Sequence, residues 1–336
     1  MKPRGKKNGP GPRQHPLSSG RGRRILITGA AGYIGSLLMH NLAAKKGLHI
    51  TGVDVRDPLS MPANVDFCVC DVSGPELRRV MKAAKPHVVV HLASIVSPPK
   101  KSDPQLEYRV DVIGTENVLQ GCIECKAEKI IVTSSGAAYG YHADNPEWLV
   151  ESDPLRGNDS FPYSKHKRLV EEMLAVYRKK HPKLKQLIFR PGTVLGAGTR
   201  NQITNLFEKL FVPGIAGSDS PFVLIWDRDV VNCLALGASS ARTGIFNLAG
   251  DGKLSLPEMA QMLSKPFLPL PPGLLQAFFR IAKPLGLSRY GPEQVDFLRF
   301  RPVLSNDALK TGFGYIPEKT TREVFQYYIE NMQPGK

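Results

Sequence analysis

Eight residues constrain this chain more than any other stretch of it: Thr28-Gly29-Ala30-Ala31-Gly32-Tyr33-Ile34-Gly35. They follow a short apolar run, Ile25-Leu26-Ile27-Thr28, that reads as a strand. They open a stretch over 33–46 in which Ile34, Leu37, Leu38 and Leu42 share one helical face. Glycines spaced G-x-x-G-x-x-G between a strand and a helix answer three separate demands. The first permits a tight turn, the second lets a pyrophosphate approach the backbone, and the third lets the helix pack closely on the strand. The helix N-terminus then offers N–H groups and a positive dipole end to the phosphates. The next strand, Leu48–Val53, closes on Asp54, 25 residues after Gly29. A carboxylate there can accept from both hydroxyls of an adenine ribose. The pattern predicts a dinucleotide site along Gly29, Gly32, Tyr33, Ile34 and Gly35, with Asp54 at the ribose. Asp54 would repel a 2′-phosphate, so NAD is expected over NADP. Arg56, two residues on, keeps NADP open.

The same alternation continues. Val65–Val69 and His87–Leu92 read as strands, a helix runs from about Pro104 to Cys125, and Lys129–Thr133 is a fifth strand. A further helix spans about Tyr163 to Lys180, with the strand Leu184–Phe189 behind it. Strands alternating with helices predict an α/β fold of the Rossmann type, a doubly wound parallel sheet covered on both faces. After Arg190 the rhythm loosens. Pro191, Pro213, Pro221 and the cluster Pro266–Pro272 break the chain into short pieces. The expected organisation is a disordered basic tail over 1–23 and a dinucleotide-binding domain over 24–190. A smaller, mainly substrate-binding region over 191–336 returns some elements to the sheet.

The net charge of +15 suggests nucleic acid until it is located. Residues 1–24 hold eight basic residues and no acid, which leaves +7 for everything else. That stretch is rich in Pro and Gly and almost free of apolar side chains, so it cannot offset its ordering entropy. A solubilising tail is the expectation, and nucleic acid is not an expected partner. No apolar run approaches the roughly 20 residues that span a bilayer, so no membrane is expected. Five scattered cysteines fit free thiols in a reducing compartment, and the chain is expected to be cytoplasmic.

Tyr163-Ser164-Lys165-His166-Lys167 sets a Tyr and a Lys four apart, on one face of the predicted helix. A phenol titrates near 10, and acid–base work at neutral pH asks for a value near 7. Closing that gap takes roughly 4 kcal/mol, and a neighbouring ammonium has the right sign to contribute. Ser135, just past the fifth strand, is placed to hold a substrate oxygen or the phenolate. Ser135, Tyr163 and Lys167 are the expected catalytic set.

These residues together resemble the short-chain dehydrogenases/reductases of the extended, NAD-dependent epimerase/dehydratase type. The resemblance covers roughly residues 24–331. It rests on the glycine turn, Asp54, Asp71-Val72, His91-Leu92-Ala93, Gly114-Thr115-Glu116-Asn117, 134–140 (SSGAAYG), 163–167 (YSKHK), Arg190-Pro191-Gly192 and 312–317. It implies hydride transfer at a secondary alcohol or ketone. It places Asp71 and Val72 along the adenine, adds Leu92, Ala93 and Pro191 to the cofactor site, and gives Lys167 a second role at the nicotinamide ribose. It also implies a homodimer through the helices near 104–125 and 163–180.

The departures bear on substrate. The dehydratases of the family carry an Asp-Glu pair after the catalytic Ser/Thr, where this chain has Gly136-Ala137. Members acting on nucleotide sugars commonly have an Asn where Thr193 stands and an Arg near a late strand, where Phe222–Trp226 has none. Asp111 stands where many relatives have Asn. A nucleotide sugar therefore remains a possible small-molecule substrate without its usual anchors. Cys122 and Cys125 form a C-x-x-C on a predicted helix with no second pair, so packed thiols and no metal are expected. His91 reads as a satisfied near-core residue, and His166 as lying beside the catalytic pair but on another helical face. Tyr139 and Trp226, as single aromatics, fit pocket or core equally. The rival reading is a non-catalytic NAD(P) sensor or scaffold on the same fold.

Overall fold

The computed structural model describes residues 22–96, 103–201, 203–288 and 291–332, and nearly all of the basic tail lies outside them. Strand β1 (Arg23–Thr28) starts two residues earlier than the apolar run, because Arg23 and Arg24 pair with Leu48 and His49. Charge alone places Arg23 in the tail, yet it belongs to the sheet. There follow α1 (Tyr33–Ala43), β2 (Leu48–Asp54), β3 (Val65–Val69), α2 (Glu76–Ala84) and β4 (Val88–His91). The helix expected over 104–125 is not uniform. It runs as α3 (Pro104–Tyr108), a wider π turn over Arg109–Ile113, and α4 (Gly114–Glu124). Next come β5 (Lys129–Thr133), α5 (Pro162–Lys180) and β6 (Lys185–Pro191).

Beyond Pro191 lie β7 (Thr193–Leu195), α6 (Thr204–Phe207), β8 (Val212–Ile215), β9 (Leu224–Trp226), α7 (Asp227–Ser239) and β10 (Gly244–Leu248). The chain continues through α8 (Leu256–Met262), β11 (Phe267–Leu270), α9 (Pro272–Ala282), α10 (Glu293–Arg299) and α11 (Thr321–Asn331).

Seven strands form one sheet in the order β10-β6-β5-β4-β1-β2-β3, and each neighbouring pair is parallel. Alternation along each strand feeds two apolar layers. Ile25, Ile27, Val88 and Val90 meet Leu38 and Leu42 of α1 and Val230 and Leu234 of α7. Leu26, Val89, Ile130 and Ile188 meet Met81 of α2, Leu119 of α4 and Leu174 of α5. Leu37 departs from the helical-face expectation: it is exposed, and Met39 is buried instead. A third cluster, including Phe207, Phe222, Trp226, Met259 and Phe325, gives the late segment a core of its own. Strand order reverses between β1 and β4. A crevice opens there, beyond the carboxyl ends of the strands, and in sheets of this kind that is where ligands bind.

Candidate functional site

The glycine turn sits at that crevice. Gly29 has φ +70, and a Cβ on it would lie 2.7–2.9 Å from the backbone of Leu92 and Ala93. Gly35 is tighter still, since its Cβ would fall 2.0 Å from the Gly29 carbonyl oxygen. Gly32 differs: the nearest atom to its Cβ would be Gly29 O at 3.1 Å, with no other within 4 Å. Two glycines are therefore demanded by the protein itself, while the middle one faces space where a ligand can approach. Helix α1 has no side-chain cap and no acid in its first turn, which leaves its N–H groups and dipole free for an anion. The Asp54 carboxylate is buried beside the turn and accepts from Ala31 N–H (3.1 Å) and Arg56 N–H (3.3 Å). These residues fit a dinucleotide.

Not every expected cofactor residue presents its side chain there. The Tyr33 hydroxyl donates to Asp227 Oδ2 at 2.5 Å, fastening the turn to the start of α7. Burial and then that carboxylate push its phenol up to about 12. Ile34 and Leu92 pack against the core layer beneath α1, and Val72 is buried under α4. Their backbone groups remain for a ligand. Asp71 Oδ1 accepts from Ser73 N–H and Oγ–H, both at 2.8 Å. Pro191 closes β6, next to Leu248 of β10.

Ser135, Tyr163 and Lys167 come together. Ser135 follows β5 in extended backbone and accepts from Ala137 N–H at 3.1 Å. Tyr163 opens α5 and lies half-buried next to the Ser135 hydroxyl; Lys167, one turn on, places its Nζ 5.4 Å from the Tyr163 ring centre. That Nζ makes one long hydrogen bond, 3.4 Å to Thr133 O.

The electrostatics run against the expectation from spacing. Burial pushes the Tyr163 phenol up to about 12, with Asp111 adding to the rise and Ser135 opposing it. Burial also lowers Lys167, against the pull of Asp111 and Glu171. The protein on its own thus keeps the phenol protonated, because desolvation outweighs the hydrogen bond to Ser135.

The π turn explains Asp111. It turns this residue inward, where Oδ2 meets His166 Nδ1 at 3.3 Å and Oδ1 accepts from Ile95 N–H at 3.0 Å. Burial pushes this carboxyl up, but His166, Lys167 and Ile95 N–H together bring it below the usual range. His166 therefore does not face away from the site; it is buried against Asp111 and edge-on to Tyr108. His91 is a near-core residue as expected, bonded to Thr28 Oγ1 (2.7 Å) and Thr115 Oγ1 (3.0 Å). Cys122 and Cys125 are free thiols. Tyr139 is core: it is fully buried and bonded to Asn247 and Arg190.

One residue has no counterpart among the sequence expectations. Arg301 Nη2 donates to Thr193 Oγ1 at 3.1 Å, and the guanidinium lies 3.9 Å over the Phe222 ring. An arginine thus stands where Phe222–Trp226 offered none, supplied from about 75 residues further along. The residue is half-buried, its Nη1 is buried and unpartnered, and desolvation lowers its pKa to about 10. Phe297 carries it toward Tyr141 and Phe161, and Phe161 touches Tyr163. Its neighbours Phe297, Leu298, Phe300, Val303 and Leu304 are apolar, so no local pattern flags it as a site residue.

The fold and this crevice define a dinucleotide-binding Rossmann protein. Residues 25–218 match the NAD dependent epimerase/dehydratase family, and the chain belongs to it. NAD is the cofactor of that family. A UDP-glucose 4-epimerase from Thermus thermophilus, solved with NAD, is 25% identical with a TM-score of 0.72, over 92% of this chain and 98% of that one. The Thermotoga maritima UDP-glucose 4-epimerase, solved with UDP-glucose, has a TM-score of 0.72 at 19% identity, over 92% and 98% of the two chains, and shares the fold. An uncharacterised Mycobacterium tuberculosis protein is 22% identical over 91% of this chain and 83% of its own length. A Mycolicibacterium smegmatis UDP-glucose 4-epimerase is 32% identical over 46% of this chain and 51% of its own. With that relative the match spans about half of each protein.

Proposed function

We propose that this chain is an NAD-dependent oxidoreductase or epimerase acting at a secondary alcohol or its ketone, with Ser135, Tyr163 and Lys167 at the reacting carbon. The observation that carries this reading is the Tyr163 phenol, half-buried beside Ser135 and Lys167 at the strand ends that also bear the glycine turn. Gly29–Gly35, Asp54, Asp71 and the Leu92-Ala93 backbone would hold NAD, which would supply the hydride-accepting chemistry. Tyr163 moves the hydroxyl proton and Ser135 orients the substrate oxygen. With its phenol protonated at neutral pH, Tyr163 is ready to donate to a ketone. In the oxidising direction it must first lose that proton, which the positive charge of Lys167 favours.

Arg301 supplies a substrate anchor. Its free Nη1 suits an anionic group, and a nucleotide-sugar diphosphate is the candidate that the named relatives suggest. Gly136 and Ala137 bring no carboxylate to Ser135, so dehydration is not part of this reading. A homodimer through α3–α5 fits the exposed Tyr108, Ile113 and Val176 on those helices.

The test is absorbance of reduced nicotinamide in the purified protein, before and after a panel of sugar nucleotides, sterols and simple alcohols. Accumulating NADH with one class, silent in Tyr163→Phe, establishes a dehydrogenase. A sugar that changes configuration without net NADH establishes an epimerase. Failure of NAD to bind would remove the reading.

A further inference from the structure

A surface helix ordinarily turns its apolar stripe inward. Helix α9 does the opposite. Leu274, Phe278 and Ile281 stand at i, i+4 and i+7 with 64%, 56% and 65% of their surface exposed. Leu285 continues the row at 66% and Leu287 follows at 78%. Scattered exposed leucines need no explanation, but an aligned row of aliphatic and aromatic side chains marks a surface built to be covered.

The helix is held as a defined wedge. Pro271-Pro272 fix its start, and Pro284 follows its end. Inward it buries Ala282 and rests on α10, to which Lys283 Nζ is tied through Glu293 at 2.9 Å. Helix α10 also carries Phe297, which stands against Tyr141 and Phe161 at the edge of the catalytic pocket. The exposed row therefore sits on the helix that packs against α10, which bears Phe297.

Charge decides what covers it. Between Glu258 and Glu293 the chain holds Lys265, Arg280, Lys283 and Arg289, and no acid. Arg280 and Lys283 are exposed within and just after the helix. Lys283 is already met by Glu293, but an isologous contact between two copies of this row would bring the two Arg280 side chains together with no acid of the helix to meet them. An apolar row flanked by cations suits the surface of an anionic bilayer instead. No helix among the described residues is long and apolar enough to cross a membrane, so the contact is superficial.

We propose that α9 docks this protein on anionic lipid surfaces. Leu274, Phe278, Ile281 and Leu285 enter the acyl boundary, and Arg280 lies among the phosphates.

Flotation of the full chain with vesicles tests this, using phosphatidylcholine alone against phosphatidylcholine containing about a third phosphatidylglycerol. The wild type is expected to float with the anionic vesicles. Phe278→Glu with Ile281→Glu should cut binding by about tenfold or more, and Arg280→Gln by a few-fold. Retained NAD binding reports that each variant is folded. In Phe278→Trp, acyl-brominated lipid should quench the new fluorescence, which contact with headgroups alone would not do. Deleting residues 1–21 separates α9 from the basic tail and should leave binding in place.

The proposal is overturned if the wild type does not float, or if binding survives the double substitution or disappears with the tail deletion. It is equally overturned if the double substitution converts a dimer to a monomer without any vesicle binding, since a second copy would then be the occupant.

Discussion

Helix α5 carries charge into the interior twice, at Glu171 and, one turn earlier, at Lys167, and the two surroundings differ. Around Glu171 every partner is met. Arg190 Nε donates to Oε1 at 2.8 Å and Nη2 to Oε2 at 2.6 Å, while Ser134 Oγ donates to Oε1 at 2.6 Å. Arg190 Nη1 reaches the Tyr139 oxygen at 2.7 Å, and the Tyr139 hydroxyl continues to Asn247 Oδ1 at 2.9 Å. Around Lys167 capacity is left over. Its own bond is long, and Thr133 Oγ1 and Arg301 Nη1 have no partner. A closed network of buried charge locks neighbouring strands in place; an open one keeps hydrogen-bonding capacity for a ligand.

Breaking the closed network should be felt as stability. Glu171→Ala strands the Arg190 guanidinium and is expected to cost about 3–5 kcal/mol. Chemical denaturation would show that loss, and an unchanged midpoint would mean that Arg190 finds another partner. The open network should respond in the opposite way. Tyr163→Phe is expected to slow hydride transfer by about a thousandfold while leaving thermal stability and NAD affinity close to wild type. A large fall in melting temperature would instead make Tyr163 a structural residue.

Arg301→Met sharpens the comparison further. Replacing an incompletely bonded buried cation with an apolar chain of similar length should leave stability unchanged or raised. The apparent KM for an anionic substrate should rise about ten- to a hundredfold, with kcat less affected. A drop in stability with unchanged KM would count Arg301 among the closed structural charges.

A further effect is on pH. Burial, helped by Lys167, holds His91 down to about 3, against about 6.5 in the unfolded chain. Below about pH 6.5 the unfolded chain binds a proton that the native state refuses. This stability is present above that pH and is lost as the pH falls toward about 3, by up to about 1.4 kcal/mol per pH unit. His91→Gln should flatten that slope, and denaturation midpoints measured at a series of pH values would detect it.

The glycine turn, Asp54 and the strand–helix alternation were legible because they are local. A tight turn needs glycine wherever it occurs, and strand alternation is set by residues a few places apart. Tyr163 and Lys167 were legible for the same reason, since four residues on a helix fix a shared face. Other features answered only to distant neighbours. Leu37 has the character of a core residue, but the sheet beneath α1 has room for Met39 instead. The π turn at Arg109–Ile113 shifts the helical register, which no periodicity of side chains announces, and with it Asp111 reaches His166.

Short spacings made a parallel-sheet fold, a glycine turn between strand and helix and the shared face of Tyr163 and Lys167 readable along the chain. The packing in space set the rise of the Tyr163 phenol and carried Arg301 from the late segment to Thr193. It also decided that α9 turns its apolar face outward. Desolvation and cross-chain contact depend on what surrounds a residue in space, and the order of residues along the chain does not state that.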